Sequence, residues 1–490
     1  MSKRDVYISP FQERYGSKEM QYLFSEDKKF STWRKLWVAL AESEMELGLT
    51  MSGKPVITPE MIEEMKKHIY DINYEVAEAY EAKLRHDVMS HIKAYGEQCP
   101  KAAGIIHLGA TSCYVGDNTD IIVMKEALDL LKKKLVNVID ILSKFADSTK
   151  AIPTLAYTHF QAAQPTTVGK RATLWLQDFV SDLKDLEYVS SSLKLLGCKG
   201  TTGTQASFVE LFQSKDTPVK LDKLIAKKMG FKEVYPVSGQ TYSRKVDARV
   251  YNVLAGIAGS ATKMTNDLRL LQHLKEIEEP FEKNQVGSSA MPYKRNPMRS
   301  ERIASLSRLV IAGIQNPYIT ESTQWLERTL DDSANRRIAI SEGFLATDAV
   351  LDLIINVTDG LVVNEKVIES NLAKELPFMI TENILMDLVK EGGDRQELHE
   401  EIRKLSIEAG NRVKKEGKDN DLFDRLVSSE KLHISKEKEE EYFSSIKYIG
   451  RAIEQVEEYI KEEVSPILKE NKDLLGLKVE ISKWEENTYG

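Results

Sequence analysis

From Ile121 onward the apolar positions fall at Ile121, Met124, Leu128, Leu131, Leu135, Val138, Leu142 and Phe145. This alternation of three- and four-residue steps is the seam of a helix lying nearly parallel to its neighbours. A second seam runs through Val246, Val250, Val253, Ile257, Ala261, Met264, Leu268 and Leu271, a segment of roughly 40 Å at the helical rise per residue. Its middle is small: Ala255, Gly256, Ala258, Gly259, Ser260 and Ala261. Glycine in a helix interior costs about 1 kcal/mol, which close packing against a neighbour would offset. The same spacing predicts helices over 168–193, 300–316, 338–356 and 442–462, while only Leu477–Ser482 alternates as a strand does. The pattern predicts an all-α protein.

Proline, glycine and capping residues divide the pattern. Thr58-Pro59-Glu60 reads as a cap with proline at the first helical position. Residues 147–167, with Pro153 and Pro165, read as a loop between two long helices, and 197–206 as a Gly/Thr turn region. Residues 280–297 contain Pro280, Gly287, Pro292 and Pro297 and cannot form one continuous helix. Asp394-Arg395-Gln396-Glu397 resembles a capping box. These breaks suggest three helical domains: 1–111, a central long-helix bundle over 112–364, and 365–490. Long helices with seam residues on more than one side call for partners beyond one chain, so a homo-oligomer is expected over an extended monomeric bundle.

Composition narrows the class. The 490 residues carry 68 Lys+Arg against 76 Asp+Glu, a net charge of −8 that disfavours nucleic acid as the main partner. No run approaches the length of a membrane-spanning helix, and the N-terminal residues lack the apolar core of a secretory signal. Cys99, Cys113 and Cys198 are few and widely spaced, which fits a reducing compartment and a cytoplasmic location. No dinucleotide, P-loop or zinc-binding motif is present, and nothing calls for a metal or cofactor.

Four stretches carry candidate chemistry. The first is Gly287-Ser288-Ser289-Ala290-Met291-Pro292-Tyr293-Lys294-Arg295-Asn296-Pro297. Between 283 and 308 it sits among six basic residues (Lys283, Lys294, Arg295, Arg299, Arg302 and Arg308) and one acid, Glu301, a local charge reversal suited to an anionic ligand. Backbone N–H groups of such a turn can face an oxyanion, and serine acts as a base only where a cation and ordered donors favour its alkoxide. The same composition also makes a solvated basic loop. The second stretch, Tyr157–Thr167, sets His159 in a polar loop, where it can deliver a proton near neutrality or serve structure alone. The third, Arg85-His86-Asp87, places a carboxylate where it could orient an imidazole, or simply forms a polar helical face. The fourth, Arg328–Arg337, offers Ser333 as a helix cap with Arg337 one turn on, a natural phosphate site or a surface salt-bridge network.

Taken together, these stretches resemble the adenylosuccinate lyase family of the fumarase/aspartase superfamily, the animal type especially. The likeness extends through Thr111–Asp120, Lys199–Phe208, Ser238–Asp247 and Trp325–Arg337, essentially the whole chain. One departure is Ala162, where the family often has proline after His-x-Gln.

The resemblance implies a homotetramer whose central bundle is completed by self-association, with active sites drawn from three chains. It implies cofactor-free β-elimination of fumarate from two small-molecule substrates, adenylosuccinate, giving AMP, and SAICAR, giving AICAR. By the same correspondence Ser288 is the base, Lys294 and loop N–H groups stabilise the aci-carboxylate, and His159 protonates the departing nitrogen. Spacing alone does not separate Ser288 from Ser289. Substrate binding falls by correspondence to Arg14, Tyr15, Arg85, His86, Asp87, Thr111, Ser112, Gln240, Arg302, Arg328, Ser333 and Arg337. No metal, nucleic-acid or membrane partner is implied. The Ser288 loop is expected to be mobile and to close over substrate. Other fumarate-releasing lyases (argininosuccinate lyase, fumarase) and a catalytically silent helical scaffold are the competing readings; the first lack a phosphate to meet Arg328, Ser333 and Arg337, and the retained Ser288 and His159 argue against the second.

Overall fold

The computed structural model describes residues 5–282 and 285–479; Lys283 of the basic cluster and 480–482 of the expected strand lie outside them. The principal helices, numbered in chain order, are α1 (Glu26–Glu46), α2 (Cys113–Ser148), α3 (Val168–Ser192), α4 (Lys245–His273), α5 (Met298–Gly313), α6 (Asp332–Asp359), α7 (Glu365–Met379) and α8 (Arg395–Glu416). Among the described residues, strands are confined to three two-stranded antiparallel pairs.

Both seams are core. Ile121 through Leu142 of the first are at most 1% exposed, and every position of the second, Val246 through Leu271, is buried. Helices α2, α3, α4, α5 and α6 pack on one another as the central bundle. The small stretch of α4 divides between two faces. Ala258 and Ala261 are fully buried and Gly256 lies close to the Asp182 carboxylate of α3, but a side chain at Gly259 would meet open space. Close packing within the chain therefore accounts for only part of it.

One hydrophobic core runs from Trp33 and Trp37 of α1 through Tyr95 into the bundle, and Val456 and Val464 return to it near the C-terminus. A second core gathers Leu376, Ile384, Leu398, Ile402, Leu422 and Leu426. The passage from one to the other falls inside α7, between Ile368 and Leu376.

The caps at Thr58 and Asp394 form: Thr58 Oγ1 accepts from Met61 N at 3.4 Å, and Asp394 Oδ1 from Gln396 N and Glu397 N at 2.8 and 3.0 Å. Three expectations change. The 147–167 loop contains a β-hairpin, β1 (Pro153–Thr158) and β2 (Gln161–Thr167). Its prolines are tolerated because Pro153 opens a strand and both strands lie at the edge of a two-stranded ladder. The 442–462 segment is broken over 444–451, where Gly450 takes a left-handed φ of 56°, and resumes as a helix only at Ala452–Tyr459. Leu477–Val479, the described part of the expected strand, forms no ladder; Leu477 N instead donates to Asn137 Oδ1 at 3.1 Å.

Candidate active site

Ser288 lies in a loop closed at its neck and folded on itself. Glu279, buried at the neck, accepts from Arg299 N at 3.0 Å and from both Ser300 N and Ser300 Oγ at 2.9 Å. It occupies the first turn of α5, where free N–H groups favour an anion. Burial raises the Glu279 carboxyl against these hydrogen bonds, which lower it. A Cβ at Gly287 would collide with the Lys294 carbonyl, and Asn296 Nδ2 donates to Gly287 O at 2.7 Å. Inside this fold Ser288 Oγ accepts from Ala290 N at 3.3 Å and Met291 N at 3.2 Å. The loop N–H groups thus converge on the Ser288 oxygen itself. Two donors at a hydroxyl oxygen favour its negative form. Ser289 and Lys294 are exposed.

His159 occupies the tip of the β-hairpin. Thr158 pairs with Gln161, leaving His159 and Phe160 as a two-residue turn with φ of 53° and 54°. Positive φ at both central residues matches the right-handed twist of a hairpin, but it is a costly conformation for side-chain-bearing residues. At the base of the hairpin Arg171 Nη2 donates to Leu155 O at 2.7 Å, beside the register shift between Leu155 and Tyr157. Ala162, the departure from the family pattern, pairs with Tyr157.

A third group gathers where the N-terminal ends of α2 and α6 meet the 238–240 and 325–328 segments. His86 caps the Asp87–Gln98 helix, its Nδ1 accepting from Met89 N at 3.3 Å. The neutral ring then carries its proton on Nε2, 3.4 Å from Ser112 Oγ. The expected carboxylate partner is displaced: Asp87 Oδ1 accepts from Val88 N at 2.8 Å and stands 3.9 Å from His86 Nδ1, while Asp87 Oδ2 lies 3.7 Å from Arg337 Nη2. The imidazole is oriented by a helix terminus because capping takes the nitrogen that Asp87 would have used. Arg85 ends the preceding helix in a left-handed conformation, φ 53°.

Arg328 Nη1 reaches Cys113 Sγ at 2.8 Å, and that sulfur lies 3.6 Å from Gln240 Oε1. Gln240 Nε2 donates to Thr201 O at 3.0 Å and its backbone N to Glu327 O, also at 3.0 Å. Thr111 opens the turn, its carbonyl accepting from Tyr114 N at 2.9 Å. Ser333 is not a helix cap. Helix α6 already begins at Asp332, so Ser333 stands inside its first turn with its N–H bonded to Leu330 O at 3.2 Å.

Beneath this group lies a buried ionic lattice that sequence reasoning missed. Arg244 holds Asp117 through two bonds of 3.0 and 3.1 Å and Asp332 through one of 2.7 Å. Arg336 holds Asp247 at 2.7 Å, Asp120 at 2.8 Å and Tyr242 Oη at 2.6 Å. These bonds join α2, α4 and α6 at the end that carries Ser112 and Arg337. Lys29, over the rings of Phe30 and Trp33 at 4.9 and 5.1 Å, is held below the usual ammonium range, first by burial and then by the charge of Arg337. It adds an unanticipated cation to the same end. No spacing rule marks Arg244 or Cys113 in advance, because their hydrogen-bond partners come from distant segments, and Lys29 meets Arg337 only through the fold, its ring contacts being local.

Arg14 and Tyr15 end the Phe11–Tyr15 turn, and the Arg302 guanidinium lies over the Tyr15 ring at 5.9 Å. Ser17 N donates to Asp348 Oδ2 at 2.9 Å, which fixes this segment midway along α6.

The fold keeps these groups apart. The 28-residue α6 begins beside Ser333 and ends at Gly360, which packs against Pro280 at the neck of the Ser288 loop. That helix alone spans roughly 40 Å. Likewise the 36-residue α2 separates Ser112 from the hairpin carrying His159. Ser288, Lys294 and His159 therefore stand at one end of the bundle, and His86, Ser112, Gln240, Arg328, Ser333 and Arg337 at the other.

Comparison with known proteins agrees with this arrangement of helices. Two family models match, one described as lyase over residues 15–312 and one as adenylosuccinate lyase C-terminus over residues 377–459. The chain is 50% identical to adenylosuccinate lyase of Saccharomyces cerevisiae over 96% of its length and 97% of that protein. It is 46% identical to adenylosuccinate lyase of Schistosoma mansoni over 98% and 100%. In fold it is similar to 3-carboxy-cis,cis-muconate lactonizing enzyme from Pseudomonas putida, with a TM-score of 0.79, 20% identity and coverage of 92% and 97% of the two chains. It is similar also to a fumarate lyase from Mesorhizobium sp. BNC1, with a TM-score of 0.76, 21% identity and coverage of 93% and 100%. The C-terminal match sets the chain apart from argininosuccinate lyases and fumarases. With the long-helix bundle and the relatives agreeing over nearly the full length, the chain belongs to the adenylosuccinate lyase family.

Proposed function

We propose that this protein is a cytoplasmic homotetramer that eliminates fumarate, without a cofactor, from adenylosuccinate to give AMP and from SAICAR to give AICAR. The observation that carries the chemistry is the closed loop in which Ser288 Oγ accepts two backbone N–H groups. A proton beside a carboxylate is weakly acidic, so its removal needs a base whose negative form is favoured and donors for the developing charge. Ser288, already served by two donors, takes the proton, and exposed Ser289 does not. Lys294 steadies the aci-carboxylate, and His159 protonates the departing nitrogen. Arg328, Ser333 and Arg337 hold the phosphate at the start of α6. His86, Thr111, Ser112 and Gln240, with Arg85, Asp87, Arg14, Tyr15 and Arg302, hold the remaining polar groups.

The separation of these residues along one bundle supports assembly of each site from more than one chain. So do the exposed apolar side chains on and beside α5 and α6, among them Ile319, Leu330 and Ile338, and the open strip at Gly259. In this reading the divisions 1–111, 112–364 and 365–490 are an N-terminal part sharing the main core, the tetramer-forming bundle, and a C-terminal helical part.

Turnover of adenylosuccinate, followed spectrophotometrically, tests the chemistry. Wild type should release fumarate and AMP, Ser288→Ala and His159→Ala should be folded and nearly inactive, and Ser289→Ala should retain most activity. No turnover by the wild type, or full activity of Ser288→Ala, would overturn the assignment.

A further inference from the structure

We propose that Cys113 is a positioning residue that sets the aim of Arg328 and Gln240 at the substrate, a role that rests on the placement of those two residues in the binding site. Cys113 is the first residue of α2 and 7% exposed, so its sulfur sits behind the site rather than in it. The thiol has one proton to give and lone pairs to accept with. It accepts from Arg328 Nη1 at 2.8 Å and donates to Gln240 Oε1 at 3.6 Å. Burial holds the thiol up at about 12 despite the neighbouring arginines, so the proton needed by Gln240 stays on sulfur.

The rest of the geometry makes the thiol a hinge pin. Gln240 N is bonded to Glu327 O and Gln240 Nε2 to Thr201 O. The amide is thus fixed with its oxygen toward Cys113, and its backbone is tied to the residue preceding Arg328. Sulfur closes the triangle by fixing the guanidinium itself. With one Nη1 hydrogen committed to sulfur, the remaining donors of the fork can face an anion in one orientation. Without the sulfur the long arginine side chain regains rotamers, and ordering them again falls on substrate binding.

The test compares Cys113→Ala, Cys113→Ser, Arg328→Lys and the double variant Cys113→Ala/Arg328→Lys for kcat and KM with adenylosuccinate. Serine keeps a donor and an acceptor at nearly the same place, whereas alanine has neither. Alanine should raise KM five- to tenfold with kcat within threefold, and serine should restore KM to within twofold or so of wild type. The two single effects on KM should fall short of multiplying in the double variant, because both act through one guanidinium. A Cys113→Ala KM equal to wild type while Arg328→Lys raises it would overturn this inference alone. An unchanged KM in Arg328→Lys would overturn the binding-site placement beneath it. If Cys113→Ala does not fold, Cys113→Ser decides: KM near wild type upholds the role, and a rise as large as that of Arg328→Lys overturns it.

Discussion

Ser300 and Glu279, far apart on the two sides of the Ser288 loop, are joined by two hydrogen bonds of 2.9 Å to one carboxylate oxygen. This clamp holds the ends of the loop together while its tip carries Ser288. Glu279→Gln keeps the size of the side chain but removes the charge that matches the first turn of α5, and it leaves at most one good acceptor for three donors. The expected result is a tenfold or greater fall in kcat with a smaller change in KM, measured by steady-state turnover. Wild-type kcat in a folded Glu279→Gln enzyme would show that the neck does not shape the loop.

The His159–Phe160 turn gives a second test. Both residues have positive φ, and each side-chain-bearing residue there costs roughly 1 kcal/mol. Phe160→Gly should therefore leave stability within about 1 kcal/mol of wild type, the relief of strain offsetting glycine's greater unfolded freedom. Phe160→Val, β-branched in the same conformation, should lose at least about 1 kcal/mol and lower kcat by misaiming His159. Denaturant unfolding and turnover of the two variants separate these outcomes.

Arg244 is the keystone of the lattice under the end of the bundle that carries Ser112 and Arg337. Arg244→Met leaves Asp117 and Asp332 buried without their shared cation, a loss on the order of 3–5 kcal/mol for breaking a buried pair from one side. Arg244→Lys should rescue little, since one ammonium cannot reproduce the fork that spans both carboxylates. Urea unfolding midpoints of the two variants check this.

Glu44 predicts a pH dependence. Its side chain is fully buried, neither carboxyl oxygen has a hydrogen-bond partner, and burial pushes the carboxyl up to about 9. An acid whose folded pKa lies above its unfolded value keeps its proton in the native state where the unfolded chain has lost it. Its contribution therefore falls as pH rises from the ordinary carboxylate range toward 9, reaching a penalty of about 3 kcal/mol near pH 7. Glu44→Gln should be more stable than wild type at pH 7–8, with the advantage shrinking toward zero near pH 4.5. An advantage independent of pH would contradict the assignment.

The long seams were legible because burial along α2 and α4 follows the helical period residue by residue. The hairpin was not: His159-Phe160 lacks the Asn-Gly or Asp-Gly signature of such a turn, and Pro153 and Pro165 read as breakers until an edge ladder is known to receive them. The candidate site was legible as a set of unusual stretches and resemblances, but its supports were not. Cys113, Glu279 and Arg244 act through partners tens to hundreds of residues away. The displacement of Asp87 from His86 depended on which nitrogen caps a helix, which no spacing reveals.

In the proposed assembly each site draws its proton carriers and its phosphate-binding residues from different chains. Mixing inactive His159→Ala and Arg328→Ala proteins, after subunit dissociation and reassociation, tests it directly. If His159 and Arg328 of one site come from different chains, random hybrids should regain about a quarter of wild-type activity. Activity that stays at the level of the two parents, with hybrid tetramers shown by mass, would place both residues of each site on one chain and overturn the shared-site assembly.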